Sequence, residues 1–148
     1  MGVLKGYLDD SGDEPDPGCN CVVYAGYVGE IDEWKKLETE WITALAEADL
    51  PYLHMKELTT RLMINGAILA QNFLLHLAKI AGSCKLTAIG AAVDKVALKR
   101  FNERKGFSGR DALGAEAVAI YLCNWILQDE FGSSTIELEI VKFQSRKS

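Results

Sequence analysis

Short alternating patterns of apolar and polar residues predict four β-strands in this chain, because successive side chains of a strand point to opposite faces of a sheet. The predicted strands are residues 3–9, 19–29, 85–94 and 135–143. The third of these segments is largely apolar on both faces, which predicts burial on both sides. The connection between the first two strands is rich in Gly, Pro and Asp, so we expect a loop and an antiparallel hairpin there.

The segments between these strands predict helices. The clearest pattern is that of residues 31–48, in which Trp34, Leu37 and Trp41 recur at steps of three and four. The spacing of apolar residues and the composition predict further helices at 66–81, 95–104 and 111–130. No repeat or linker interrupts the order β-β-α-α-β-α-α-β. This order predicts a single α/β domain over residues 1–148, with a mixed β-sheet flanked by helices.

Length and composition narrow the class of protein. The 148 residues are 49% hydrophobic and 25% charged, as in an ordinary globular domain that folds without disulfides or metal. No apolar run approaches the roughly 18 residues that cross a bilayer, and the acidic N-terminal segment does not have the pattern of a signal peptide. We therefore expect a cytoplasmic protein without membrane association, whose cysteines are reduced.

Charge is distributed unevenly along the chain. The net charge is −5, but residues 1–60 hold 13 acidic and 4 basic side chains, whereas residues 61–148 hold 8 acidic and 12 basic ones. A basic run stands out in the second part, opposed only by Glu103. Its members are Lys95, Lys99, Arg100, Arg104, Lys105 and Arg110. Such a run is typical of a solvated helix face, and it also fits a phosphate-binding edge that contacts nucleic acid.

Acidic residues end the first predicted strand in the segment YLDDSGD, Tyr7 to Asp13. Asp9 and Asp10 are adjacent carboxylates, which repel each other unless a cation neutralises them, and Mg²⁺ or Mn²⁺ suits such an oxygen-rich site. The Asp-Ser-Gly-Asp sequence is also good turn chemistry, and a turn is the simpler interpretation of this pattern taken alone. Alternation along the strand predicts that the two carboxylates point to opposite sides, with Asp9 on the face of Tyr7.

A second candidate for chemistry is the segment LHMKEL, residues 53–58. His54 and Glu57 are three residues apart and converge if the segment is helical, where a histidine serves as a metal ligand or a general acid/base. A surface helix start with one histidine is the simpler interpretation of this segment taken alone. The sequence contains no P-loop, no G-x-G-x-x-G and no G-x-S-x-G, so the enzyme classes that use these motifs are unsupported.

The order of these motifs resembles that of a known protein family. The segments YLDDSGD, VVYAGYVG, EWKKLETEW and PYLHMKEL follow one another as in the bacterial and phage-associated domain-of-unknown-function family 3800. The similarity extends from Tyr7 to about Leu138. The resemblance implies a ribonuclease H-like fold and a metal-dependent nuclease or phosphodiesterase. The family continues past its last strand to another acidic residue, so we expect this chain to be C-terminally shortened relative to it.

The resemblance also implies roles for individual residues. The catalytic set would be Asp9, Asp10, His54 and Glu57, with His54 as a ligand or proton carrier. Asp9 would be the main metal ligand and Asp10, where the family more often has Glu, a ligand or an outer partner. Glu139 would substitute for the family's late acidic residue as a further ligand. Under a two-metal mechanism, Mg²⁺ or Mn²⁺ would activate a water and stabilise the leaving oxygen of a phosphodiester.

Other hypotheses remain open at this point. The acidic net charge and the absent late carboxylate favour a catalytically inactive interaction module on the same scaffold. Phosphoryl transfer with Asp9 as the nucleophile is weaker, because Ser11 stands where such a site needs a second Asp. A half-covered last strand would leave an exposed sheet edge, which predicts pairing into a homodimer.

Overall fold

The structure, a computed structural model, describes residues 2–11, 20–53 and 66–141. The strands are β1 (Val3–Ser11), β2 (Cys21–Glu30), β3 (Thr87–Asp94) and β4 (Thr135–Ile140). The helices are α1 (Ile31–Glu47), α2 (Ala67–Ser83), α3 (Lys95–Lys105) and α4 (Ala115–Phe131). Every predicted strand and helix is therefore present, with bounds that shift by a few residues.

The chain divides into two compact units. One unit consists of residues 1–28 and 87–148 and contains the sheet with α3 and α4, and the other consists of residues 29–86 and contains α1 and α2. Compact units of this size can be parts of one domain, so the single domain over residues 1–148 stays a prediction. None of the four described helices combines the length and the hydropathy needed to span a bilayer.

The four strands form one mixed sheet in the order β3-β2-β1-β4. β4 runs parallel to β1, with Leu8 opposite Ile140. β3 runs antiparallel to β2, with Cys21 opposite Asp94. The predicted α/β class, a mixed sheet flanked by helices, is confirmed at this level.

Close contacts between β1 and β2 fix the direction of this pair. A side-chain carbon added at Gly6 would meet Val28, whereas one added at Gly26 would meet the backbone of Tyr7 and Leu8. Because the numbering falls along one strand as it rises along the other, β1 and β2 are antiparallel, as predicted. It follows that β1, β3 and β4 all end at one edge of the sheet, which we call the carboxyl edge.

One face of the sheet forms the core of its unit. Leu8, Tyr24 and Val93, from three different strands, pack with Ala119 and Cys123 of α4. Leu98 of α3 packs against the same cluster. The helices that follow β3 therefore lie on the Leu8 face, where the exclusion of water from these side chains stabilises the sheet.

The other face of β3 carries the residues Ala88, Gly90 and Ala92, and all three are exposed. The prediction that β3 is buried on both sides is therefore wrong. β3 is the first strand in the sheet order, and its short side chains expose little apolar area to solvent. The apolar sequence of β3 fits an outermost strand with small side chains as well as a strand covered on both faces, so hydrophobic character alone did not distinguish the two.

The second unit is a pair of packed helices. Trp41 and Ala44 of α1 form a cluster with Leu77 and Ile80 of α2. This packing explains the predicted apolar stripe of α1, in which Leu37 and Trp41 pack against this cluster. At the start of the helix, Glu33 Oε2 accepts a hydrogen bond of 2.8 Å from the backbone N–H of Lys85.

The described cysteines differ in burial, which predicts different reactivities. Cys21 is exposed, whereas Cys84 and Cys123 are buried, and burial raises the pKa of the Cys123 thiol. At pH 8 we expect iodoacetamide to modify Cys21 first and Cys123 only after denaturation, because the thiolate is the nucleophile. Peptide mass spectrometry measures both. Equal labelling of Cys21 and Cys123 in the native protein would contradict this structure.

The raised pKa of Cys123 also has a consequence for stability. The folded state keeps this thiol proton in the range above about pH 8.5, where an ordinary thiol of the unfolded chain loses it. Because the folded state then binds more protons than the unfolded state, this residue's contribution to the free energy of unfolding is present at neutral pH and is lost as the pH rises.

Candidate metal and nucleic-acid site

The acidic end of β1 lies at the carboxyl edge, beside the end of β4. The backbone N–H of Val141 donates a 2.8 Å hydrogen bond to the carbonyl of Leu8, which continues the parallel pairing past Ile140. In open α/β sheets, ligands bind outside the carboxyl ends of the strands. The two candidate carboxylates of β1 thus stand where such a sheet is expected to bind a ligand.

Asp9 and Asp10 lie on opposite faces of β1, in line with the predicted alternation. Leu8 is fully buried, Asp9 is exposed and Asp10 is half-buried on the face that α3 and α4 cover. Asp9 Oδ1 also accepts a 2.9 Å hydrogen bond from the backbone N–H of Asp10. The two carboxylates therefore lie on opposite faces of β1, just before its last residue Ser11.

Glu139 shares a sheet face with Asp9 but has a different partner. It stands opposite Tyr7 in the register, and its Oε2 lies 3.7 Å from Lys5 Nζ. The same ammonium lies 3.7 Å from Glu137 Oε2. Lys5 is farther from the carboxyl edge than Tyr7, so this pairing directs the Glu139 carboxylate away from the strand end.

The second acidic motif falls outside the described residues. His54 and Glu57 both belong to the segment 54–65, so their predicted roles stay predictions. Among the residues that the structure does describe, no three His, Cys, Asp or Glu side chains form a group able to hold a metal ion. The described part of the candidate metal site therefore consists of Asp9 and Asp10, with Glu139 turned toward Lys5.

The basic helix α3 begins at the same carboxyl edge. Asp94, the last residue of β3, caps the helix with Oδ1, which accepts hydrogen bonds of 2.8 Å from Val96 N–H and 3.1 Å from Ala97 N–H. The N–H of Lys95 donates to the carbonyl of Asn20 over 2.7 Å. The cap was missed in the sequence, although an Asp directly before a helix is the usual signature.

The capping by Asp94 gives a testable prediction. Replacing Asp94 with alanine leaves two N–H groups without their acceptor and should lower the free energy of unfolding by about 1 kcal/mol. Asp94→Asn keeps a side-chain oxygen at the same place and should change the stability by only a few tenths of a kcal/mol. Urea unfolding followed by circular dichroism measures both variants. Equal losses in both would show that charge, rather than the cap, matters here.

Most of the predicted basic run is accessible. Five members are exposed: Lys99, Arg100, Arg104, Lys105 and Arg110. Lys95 is half-buried. The run begins in the helix that starts at the carboxyl edge, so positive charge lies in the same unit as the acidic end of β1.

A structured turn follows α3. Gly106 adopts a left-handed conformation with φ of 70°, and the N–H of Phe107 donates to the carbonyl of Asn102 over 2.9 Å. The amide of Asn102 then makes two hydrogen bonds of 3.0 Å with the backbone of Leu113, one as donor and one as acceptor. This pair of bonds fixes the loop that carries Phe107 and Arg110. No sequence pattern pointed to it, since the partners are 11 residues apart.

Two phenylalanines lie among these basic residues. The rings of Phe101 and Phe107 are 6.3 Å apart at their centroids, with an interplanar angle of 63°. Both rings remain partly accessible, and Lys105 Nζ lies 6.0 Å from the centre of the Phe101 ring. The sequence showed both aromatics within the run, but their edge-to-face contact depends on the turn at Gly106.

Comparison of the chain with protein-family models, with curated proteins and with solved structures gave no match.

Proposed function

We propose that this protein is a metal-dependent phosphodiesterase acting on nucleic acid, with a ribonuclease H-like fold. The observation that carries the proposal is the position of two groups at one edge of one sheet. β1 carries Asp9 and Asp10 there, just before its last residue Ser11, and the basic helix α3 begins there. A phosphodiester substrate needs both, since positive side chains attract its backbone while carboxylates hold the cations that act on it.

The sheet supports the fold that the family resemblance implies. A ribonuclease H-like core is expected to place the first strand centrally, antiparallel to the second and parallel to the fourth. Here β1 lies between β2 and β4 in the order β3-β2-β1-β4, with β4 parallel to it. The strand order and directions agree with the proposed fold.

The donor atoms at the end of β1 fit a hard divalent cation. Mg²⁺ is usually bound by one or two carboxylates together with waters and substrate phosphates, rather than by an all-protein cage. Asp9 and Asp10 supply carboxylates of this kind near the end of β1, and Glu139 is the further candidate that the resemblance implies. When bound, Mg²⁺ or Mn²⁺ would supply Lewis-acid stabilisation of the attacking and leaving oxygens.

The remaining steps would be carried out by side chains of the chain itself. The exposed cations of α3 would bind the phosphates on either side of the scissile bond. Two strand spacings, roughly 10 Å, separate β1 from β3, which leads into α3. A short stretch of nucleic acid would span the distance from β1 to the start of α3.

Hydrolysis of a simple diester tests the proposal. Bis(p-nitrophenyl) phosphate and a labelled oligonucleotide would be incubated with the protein in Mn²⁺, in Mg²⁺ and in EDTA. We expect hydrolysis with either metal ion and none in EDTA. Equal rates with and without chelator, or no hydrolysis of either substrate, would contradict the proposed activity.

A second candidate function is an inactive interaction module on the same scaffold. The observation that favours it is the contact of Glu139 with Lys5, which leaves the strand end with fewer carboxylates. Under this alternative, Asp9→Asn removes a repelling charge without loss of function. Its melting temperature in metal-free buffer would then be higher than that of the wild type. An unchanged or lowered melting temperature would count against the alternative.

The proposal also covers the oligomeric state of the protein and its location in the cell. β4 is the last strand in the sheet order, and we propose pairing of this edge between two copies in a cytoplasmic homodimer. Size-exclusion chromatography with light scattering measures the mass directly. A monomer at micromolar concentration would remove the dimer from the proposal and leave the catalytic part intact.

A further inference from the structure

We infer that α3 and the turn after it bind single-stranded nucleic acid in preference to duplex. The surface concerned, called here the α3 surface, consists of Lys99, Arg100, Phe101, Arg104, Lys105, Phe107 and Arg110. The inference rests on the proposed function in one respect, since it names the form of the substrate of that site.

The first support is the exposure of two aromatic rings beside cations. Phe101 is 43% exposed and Phe107 is 39% exposed, although neither ring has a polar group that water could satisfy. Their edge-to-face contact fixes the angle between the rings. A nucleobase that stacks on such a ring removes apolar area from water, and every base has a face that can do so.

The second support is that the surface is preorganised. The two hydrogen bonds of Asn102 with Leu113 and the left-handed Gly106 hold the turn, so Phe107 keeps its position beside α3. A fixed platform loses less conformational entropy on binding than a mobile loop. The ordered turn therefore holds Phe107 beside Phe101 before any ligand binds.

The charge of the surface decides the class of ligand. Five exposed basic side chains lie between residues 99 and 110, and the acidic neighbours are Glu103 and Asp111. This excess of positive charge attracts a polyanion. Basic side chains alone bind duplex and single strand by their phosphates, but exposed aromatic rings stack only on bases that are not already paired and stacked.

The helix that carries this surface starts at the same edge of the sheet as the acidic end of β1. α3 starts directly after β3 at the carboxyl edge, in the same compact unit as Asp9 and Asp10. A flexible single strand held on α3 can bend across this edge toward β1. A duplex is stiff over this length and would have to be deformed to do so.

Fluorescence anisotropy tests the inference without any need for catalysis. A labelled 15-nucleotide oligothymidylate and a labelled 15-base-pair duplex would be titrated with the full chain in EDTA, at 50 and 200 mM salt. We expect the single strand to bind at least about tenfold more tightly than the duplex at both salt concentrations. Equal affinities, tighter duplex binding or no binding of either would overturn the inference.

Three variants separate stacking from charge. Phe107→Ala should weaken oligothymidylate binding about tenfold and leave duplex binding unchanged, whereas Phe107→Trp, which keeps a stacking ring, should retain it. Arg104→Gln should weaken both ligands alike and reduce the salt dependence by one phosphate contact. Equal losses on both ligands in Phe107→Ala, or a loss in Phe107→Trp as large as in Phe107→Ala, would contradict a stacking role.

A matched control and an independent readout keep the result interpretable. Trp125→Ala removes an aromatic ring that is 61% exposed on α4, outside the α3 surface, and should change neither affinity. Because binding is measured in EDTA, its outcome does not depend on hydrolysis. Loss of the preference for single-stranded over duplex nucleic acid, with hydrolysis intact, overturns this inference alone. A preference for the single strand without any hydrolysis overturns the proposed activity alone.

Discussion

Replacing Gly26 with alanine should disrupt the pairing of β1 with β2 and severely destabilise the protein. An added side-chain carbon would overlap the carbonyl oxygen of Tyr7 and would lie 2.7 Å from the Tyr7 carbonyl carbon and 3.0 Å from Leu8 Cα. All three atoms belong to the backbone of the neighbouring strand, so no rotation of a side chain relieves the overlap. We expect a loss above about 4 kcal/mol, which is a large part of the 5–15 kcal/mol that stabilises an ordinary domain.

A second glycine provides the matched control. Gly82 lies in the last turn of α2, and a side-chain carbon there would meet nothing within 4 Å. Gly82→Ala should raise the free energy of unfolding by about 0.5–1 kcal/mol, because alanine loses less backbone entropy in a helix. Circular dichroism during urea unfolding compares both variants with the wild type. A Gly26→Ala protein within 1 kcal/mol of wild type would contradict the described approach of the two strands.

Neutralising either carboxylate at the end of β1 should abolish metal-dependent hydrolysis. Asp9→Asn keeps an oxygen that can accept the hydrogen bond from Asp10 N–H, so the fold should persist while the charge is lost. Asp10→Asn removes the half-buried carboxylate on the opposite face. We expect each to lower the rate of diester hydrolysis in Mn²⁺ by about 100-fold or more, since both the cation and the developing charge depend on these groups.

Two glutamates of β4 complete this test, and only Glu137 serves as the control. Glu137 contacts Lys5 and stands farther from the carboxyl edge, so Glu137→Gln should retain the wild-type rate. Glu139→Gln tests the proposed third ligand, and a loss of rate there would show that Glu139 leaves Lys5 when metal binds. Full activity in both Asp9→Asn and Asp10→Asn would place the chemistry elsewhere on the chain.

Patterns along the sequence predicted the positions of helices and strands better than they predicted the contacts around them. The α1 segment ends at Glu47, one residue from its predicted end, because its periodic apolar stripe pairs with α2. α4 begins at Ala115 rather than at residue 111, since a short 3-10 helix (Gly109–Asp111) and the Asn102–Leu113 contact intervene. Such contacts join residues whose separation in sequence matches the repeat of neither a helix nor a strand, so an apolar pattern cannot predict them.

In the candidate site too, features set by neighbouring residues were predictable, whereas features set by distant residues were not. Alternation along β1 was enough to predict that Asp9 and Asp10 face opposite sides, since it depends only on neighbouring residues. The contact of Glu139 with Lys5 depends on the register of β1 against β4, which are more than 120 residues apart in sequence. The register became known only with the structure, and with it the orientation of the third proposed ligand.

The most direct test of the metal site is a calorimetric titration of the full chain with Mn²⁺. We expect saturable binding to the wild type, no measurable binding to Asp9→Asn, and binding to Glu137→Gln that equals that of the wild type. Circular dichroism of the three proteins would confirm that each is folded. Absence of binding to the wild type, or equal binding to wild type and Asp9→Asn, would contradict a divalent cation at the end of β1.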